Sequence, residues 1–272
     1  GLESSRPTNQ DAYGYLEGTL QAESRSINWL VACVADGMGG MEAGEIASEV
    51  AVKTVLSEAA SKMFSSLTPL SLEEQILAVK EWVNKANDEV CAAMEQRRAK
   101  GGTTLLCCLL MGKRLTIAHV GDCRLYLIRN GEFNLLTRDH SLAMALAMQE
   151  GKVDLDALRQ NPDRNKVTRS LGERTPLPYY FIDTLEPVVG KTYMELQDGD
   201  ILLLCTDGVW DPINESEMVS IVTSNSSDLS KAAQELIRLA LSRGAPDNAT
   251  VLLVQIKEKP PAELSQALGG ER

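Results

Sequence analysis

The chain has 272 residues, 44% hydrophobic and 24% charged, a globular balance with length for one large core or two small ones. Its formal net charge of −11 argues against a nucleic-acid or anionic-membrane surface, because phosphates would be repelled. The apolar runs are too short to span a bilayer, no secretory signal is visible, and six scattered cysteines without a C-x-x-C pair fit a reduced, cytoplasmic setting.

Arg6-Pro7-Thr8-Asn9-Gln10-Asp11 is polar and turn-like and runs into Ala12-Tyr13-Gly14-Tyr15, which alternates as a strand does. Arg6 and Asp11 read either as a surface pair or as an anion clamp beside a metal. Residues 16–28 lack periodicity and read as a hairpin connection. The apolar run 29–35 then climbs to Asp36 and is followed at once by Gly37-Met38-Gly39-Gly40. This predicts a strand buried on both faces, ending in a carboxylate and a sharp turn.

From residue 42 to about 64, Ile46, Ala47, Val50, Ala51, Thr54 and Val55 recur at helical spacing. A second helix begins near Ser71, where Ser71-Leu72-Glu73-Glu74 spells a capping box, with Ile76, Val79, Val83, Val90 and Met94 as its apolar stripe. Cys91 to Arg97 matches the C-x5-R spacing of cysteine-nucleophile phosphatases. A helix interior, with its N–H groups already bonded, cannot cradle a phosphate, so that reading is rejected.

Beyond Gly101-Gly102 the pattern changes to strands at 103–110, 115–120, 123–129 and 133–137. The second ends at Gly121-Asp122, and Asn130-Gly131 is a tight-hairpin signal; the group reads as an antiparallel meander. His140, beside an aspartate, reads as a structural hydrogen-bond partner in preference to a catalytic base. Residues 141–186 are mixed, with helical pieces at 142–150 and 155–160 and prolines at 162, 176 and 178, and read as an insertion over the sheet. A second apolar run, from Ile201, ends in Asp207-Gly208. A helix over about 228–242 precedes Asp247 and a final strand, 251–256. The Pro260-Pro261 tail reads as a linker.

Asp36, Asp207 and Asp247 thus stand at ends of apolar strands, with Asp122 in a strand-to-strand turn. Such acids, brought together, repel one another unless cations neutralise them; the alternative is that they face solvent as ordinary turn residues. The chain offers oxygen ligands, only two histidines, His119 and His140, and no clustered cysteines. Mn²⁺ or Mg²⁺ suits that set better than zinc or copper. Two such ions, about 3.5–4 Å apart, would activate a bridging water for in-line attack on a phosphate, with Arg6 holding the phosphate oxygens.

Seven blocks stand in order along the chain: R-P-T-N-Q-D, V-A-D-G-M-G-G, G-G-T-T, V-G-D-C-R, T-R-D-H-S, T-D-G-V-W-D and D-N-A-T. Together they resemble the metal-dependent protein phosphatases of the 2C type, in their bacterial-like branch. The resemblance implies an α+β fold: a sandwich of two antiparallel β-sheets flanked by α-helices on both outer faces, in four α-β-β-α layers. It implies a catalytic domain over 1–258, with 141–186 as a flap and 259–272 as a tail. It implies hydrolysis of phosphoserine and phosphothreonine monoesters by a metal-bridging water. Arg6 would bind the substrate phosphate and Asp11 would support the ligands. Asp36 would bridge two ions, the Gly37 carbonyl would serve the second, and Asp207 and Asp247 would complete the first. Asp122 would hold a third, weaker ion, with Asp211 close to it. The implied setting is a cytoplasmic monomer that acts on phosphoproteins, opposes a serine/threonine kinase and binds neither nucleic acid nor membrane.

Two departures stand out. Met38 occupies the place where many eukaryotic members carry a histidine proposed as general acid. Only five residues precede Arg6, so the strand the resemblance implies before that arginine is expected to be shortened, either because the chain is trimmed or because the first sheet is incomplete. The alternatives are a pseudophosphatase that binds phosphoproteins without turnover and a two-metal hydrolase of small phosphoesters.

Overall fold

A long hairpin opens the fold. The computed structural model describes residues 8–22, 25–40, 42–66, 68–244 and 247–257, so Arg6 and the 259–272 tail lie outside the described residues. Strand β1 (Asp11–Ala22) pairs antiparallel with β2 (Arg25–Gly39), from Asp11 opposite Asp36 to Ala22 opposite Arg25. Strand therefore replaces most of the connection expected at 16–28. The inward positions of β1 are Ala12, Gly14, Leu16, Gly18 and Leu20, and the two glycines hide the apolar alternation. A Cβ at Gly14 would lie 2.6 Å from Leu56 Cδ1, and one at Gly18 2.6 Å from the Trp29 ring. Neighbouring core side chains already fill both places.

Strand β2 also continues past Asp36. Gly37, Met38 and Gly39 pair with Thr103, Gly102 and Gly101 of β3 (Gly101–Thr103), so the sharp turn comes later than expected. Helices α1 (Ala43–Ser65) and α2 (Leu72–Arg97) follow β2. Ser71 and Glu74 form the expected capping box on α2, and Cys91 and Arg97 lie within that helix. Ala47, Ala51 and Val55 of α1 and Val79, Val83 and Val90 of α2 bury against Val31, Cys33 and Ala35 of β2. Burying each larger aliphatic side chain contributes roughly 1.5–3 kcal/mol.

Strand β4 (Leu105–Met111) is buried at every position and pairs with β2 and β5 (Arg114–Val120). Strands β6 (Arg124–Arg129) and β7 (Glu132–Leu135) form a hairpin whose Asn130 and Gly131 have φ of 55° and 79°, the signature of a two-residue turn of the primed type. The expected single meander is corrected here: β5 and β6 are not paired. Strand β5 stays in the first sheet, ordered β1-β2-β4-β5-β8 with β8 at Met194–Glu195 and β3 on β2. Strand β6 enters a second sheet, ordered β10-β9-β6-β7, with β9 at Ile201–Cys205 and β10 at Val251–Gln255. Strands apolar on both faces need cover on both faces. Folding the second hairpin over the first supplies it, and the chain crosses between sheets at Gly121-Asp122.

The inter-sheet core sets Ala32, Val34, Leu106 and Cys108 against Leu125, Leu127, Leu202 and Leu204. Two short helices, α3 (Leu142–Gln149) and α4 (Leu155–Gln160), match the expected pieces of the insertion and share a small cluster of Ala143, Met144 and Leu158. Single turns α5 (Glu186–Val189) and α6 (Asp207–Trp210) come next. Helices α7 (Glu215–Ser224) and α8 (Leu229–Ser242) cover the second sheet, with Met218, Val222, Leu236 and Ala240 on Tyr126, Ile128 and Leu203. Helix α7 was not anticipated, although Asn214 and Glu217 form its capping box. The layers are α-β-β-α, as the resemblance implied. No helix among the described residues is long and apolar enough to cross a membrane.

Candidate metal centre

Asp36 is held by its backbone. Its N–H donates to Thr104 Oγ1 (2.9 Å), and its carbonyl accepts from Thr103 Oγ1 (2.9 Å) and from the Thr104 N–H (2.9 Å). The G-G-T-T block thus clamps the residue through its peptide groups. The next peptide N–H, of Gly37, donates to the Gln10 carbonyl (3.0 Å). A Cβ on Gly37 would lie 2.1 Å from the Gly44 carbonyl oxygen, so only glycine fits there.

The other acids reach the same end of the sandwich from different strands. Asp11 stands directly across from Asp36 in the β1–β2 register, and its Oδ2 accepts from Thr206 Oγ1 (2.8 Å), one residue before Asp207. The Thr206 N–H donates to the Thr250 carbonyl (3.1 Å). A Cβ at Gly208 would lie 2.0 Å from the Asn248 carbonyl oxygen, so the Asp207-Gly208 turn sits tight against the segment that carries Asp247. Gln10 N–H donates to Asn248 Oδ1 (2.9 Å). Asp207 opens the turn α6 instead of closing a strand.

The electrostatics follow. Burial, then the charges of Asp207, Asp11, Asp122 and Asp247, push the Asp36 carboxyl well above the usual range. Burial raises Asp11 to about 7 against two threonine hydrogen bonds, with Asp207 and Asp247 adding to the rise. Burial and Asp207 raise Asp122. Asp11 Oδ1 is buried without a hydrogen-bond partner. Among the described residues, no three His, Cys, Asp or Glu side chains are clustered at metal-ligand spacing. The convergence is electrostatic: the charges of Asp207, Asp11, Asp122 and Asp247 all reach Asp36. A divalent cation fits that set, because it offsets the repulsion and the donors are hard oxygens.

The surroundings hold groups whose roles the sequence did not reveal. Arg124 is 1% exposed, chelates Asp139 (3.0 and 2.7 Å), donates to Glu215 (3.2 Å) and lies 3.8 Å over the Trp210 ring. Trp210 Nε1 in turn donates to the Asp122 carbonyl (3.0 Å). From the insertion, Arg159 donates to Glu215 (2.7 Å) and to the Trp210 carbonyl (3.1 Å), and Arg164 chelates Asp211. Asp211, expected beside a third ion, is thus engaged by an arginine. His140 does not pair with its neighbour Asp139; its Nε2 lies 3.1 Å from Asp183 Oδ2. Burial lowers the His140 pKa despite that contact. Burial raises Asp183, but its hydrogen bond with His140 and the charge of Arg138 outweigh this and hold the carboxyl low. Met38, half-buried, lines a cleft of about 570 Å³ with Met94, Lys100, Ser170 and Glu173. Arg6 lies outside the described residues.

Comparison with known proteins gives a consistent picture. Residues 4–249 match the family described as Protein phosphatase 2C. The chain is 36% identical over 229 residues to the serine/threonine phosphatase stp of Listeria monocytogenes, covering 84% of this chain and 85% of that one. The crystal structure of the Mycobacterium tuberculosis serine/threonine phosphatase PstP/Ppp superposes with a TM-score of 0.73 at 26% identity, over 93% of this chain and 94% of that one. The catalytic domain of PstP in complex with two manganese ions superposes with a TM-score of 0.69, also at 26% identity and over the same shares of the two chains.

Proposed function

The chain belongs to the protein phosphatase 2C family, which is metal-dependent, and is a serine/threonine protein phosphatase; on that premise we propose that Asp36, the Gly37 carbonyl, Asp207 and Asp247 hold two divalent cations, Mn²⁺ or Mg²⁺. Asp122 takes a third, weaker one. The observation that supports this reading is the field that Asp11, Asp122, Asp207 and Asp247, from four other segments, exert on Asp36.

A divalent cation, when bound, neutralises charge that develops on the phosphoryl group and makes water acidic enough to serve as a nucleophile near neutral pH. The protein's own residues do the rest. The backbone clamp on Asp36 and the Gly208–Asn248 contact fix where two of the acids point from. Asp11, hydrogen-bonded to Thr206, steadies the turn that bears Asp207. Met38 carries no transferable proton, so it is not the acid that protonates the leaving oxygen. Arg6 is assigned the substrate phosphate on the sequence alone. The substrates are phosphoproteins, and we place the enzyme opposite a serine/threonine kinase, as a cytoplasmic monomer whose 141–186 segment is the flap. The acids a non-catalytic relative would lose are present, and no observation favours that alternative.

Phosphothreonine-peptide hydrolysis with added Mn²⁺ tests the reading. Chelator is expected to abolish turnover. Asp207→Asn is expected to lower it by more than about 100-fold, beyond the 10–100-fold typical of groups that only support a ligand. Activity that survives both treatments rejects the metal-dependent mechanism.

A further inference from the structure

His140 is buried and belongs to neither the acid cluster nor the buried Arg124 network, yet it contacts three separate segments. Its Nδ1 accepts the Gly121 N–H (3.1 Å), and its own N–H donates to the Gly121 carbonyl (2.8 Å). Its carbonyl accepts from the Thr168 N–H (2.7 Å) and from Thr168 Oγ1 (3.0 Å). Its Nε2 faces Asp183 Oδ2 at 3.1 Å. Thr168 and Asp183 belong to the returning half of the 141–186 insertion, and Asp183 is itself held by Arg138 (2.7 Å) and Arg169 (3.2 Å).

The contacts fix the tautomer. A nitrogen that accepts a backbone N–H carries no proton, so Nδ1 is bare. The proton of the neutral ring then sits on Nε2, where the Asp183 carboxylate accepts it. Arg169 Nη1, 3.2 Å from Nε2, directs its donor at Asp183 Oδ1 instead. Gly121 precedes Asp122 at the crossing between sheets, with a φ of 110°. On its other side, the Asp122 carbonyl accepts from Trp210 Nε1 (3.0 Å). His140 thus grips both the N–H and the carbonyl of the residue that immediately precedes Asp122.

We propose that His140, as its Nε2–H tautomer, is a positioning residue that orients the Gly121-Asp122 turn and so sets the affinity of Asp122 for a divalent cation, while it ties that turn to the return of the flap. The inference rests on the assignment of Asp122 to the weakest cation. A supporting hydrogen bond of this kind typically changes metal affinity by about 10–100-fold.

The test compares two isosteres. The amide oxygen of an asparagine falls near Nδ1 and can still accept the Gly121 N–H. A glutamine places its amide near Nε2, reaches Asp183 and leaves the Gly121 N–H without an acceptor. Mn²⁺ binding to the full chain is followed by loss of the free-ion paramagnetic resonance signal, so the readout is independent of turnover. His140→Gln is expected to weaken the weakest Mn²⁺ event by about 10-fold or more, and His140→Asn to keep it within about 3-fold of wild type. Circular dichroism checks that both variants fold. Equal Mn²⁺ affinities for the two variants, whether both unchanged or both weakened, overturn the role of His140. Asp122→Asn is the control and is expected to remove the weakest event. If it does not, the assignment of Asp122 falls and the inference with it, while the phosphopeptide experiment on Asp207→Asn still decides the broader mechanism.

Discussion

Asp36→Asn is expected to abolish Mn²⁺-dependent hydrolysis and, at the same time, to make the metal-free protein more stable. The two effects have one cause. Asp36 is 7% exposed and lies in the field of Asp207, Asp11, Asp122 and Asp247, with burial the largest influence on it. A carboxylate there is stabilised by a cation and opposed by burial and by the four neighbouring acids. Asparagine keeps the shape, and the backbone clamp from Thr103 and Thr104 does not involve the side chain. The expected gain is roughly 1–2 kcal/mol, seen as a rise of a few degrees in the melting temperature in chelator. Mn²⁺ should raise the melting temperature of the wild type, because a ligand that binds only the folded state stabilises it, and should raise that of the variant far less. A metal-free variant less stable than wild type would mean that the carboxylate makes favourable contacts that outweigh the repulsion.

Arg124→Met is expected to destabilise the fold by about 3–5 kcal/mol. Its guanidinium is 1% exposed and joins Asp139 and Glu215 while it stacks on Trp210. Methionine retains much of the volume and none of the donors, so Asp139 loses its chelating partner in a buried place. Breaking a buried ion pair from one side costs about 3–5 kcal/mol, more than the pair itself contributes, because the remaining charge has lost its counter-ion. Glu215 fares better, since Arg159 still donates to it at 2.7 Å. The double variant Arg124→Met, Asp139→Leu should therefore recover part of the loss, which urea midpoints in a double-mutant cycle would measure. A cost under about 1 kcal/mol for the single change would place the pair among the weak, solvent-screened ones.

How much of this was legible in the sequence depends on the distance over which each cause acts. The Ser71–Glu74 capping box, the Asn130-Gly131 turn and the helical stripe of α2 are local and read directly, whereas the Asn214–Glu217 box of α7 passed unread. The Asp-Gly pairs at 36 and 207 were legible because each closes an apolar run, although β2 runs on past Asp36 and Asp207 opens a helical turn. The stretch of β1 beyond Tyr15 and the start of β2 were missed because Gly18 stands where the pattern calls for an apolar side chain, and the reason lies in the ring of Trp29, its partner across the strand pair. The split of the supposed meander was missed because pairing within a hairpin leaves no local mark of which sheet receives it. The partners of Arg124, Asp211 and His140 were invisible for the same reason. Glu215 is 91 residues from Arg124, Arg164 is 47 from Asp211, and Asp183 displaces the neighbouring Asp139 as the partner of His140.

Anomalous scattering at the manganese edge, from crystals of the full chain grown with Mn²⁺, tests the central claim most directly. The expected result is at least two strong peaks bounded by Asp36, Asp207 and Asp247, with a weaker one at Asp122 that disappears in Asp122→Asn. Peaks confined to surface carboxylates, with Asp36 and Asp207 binding no metal, would contradict the account.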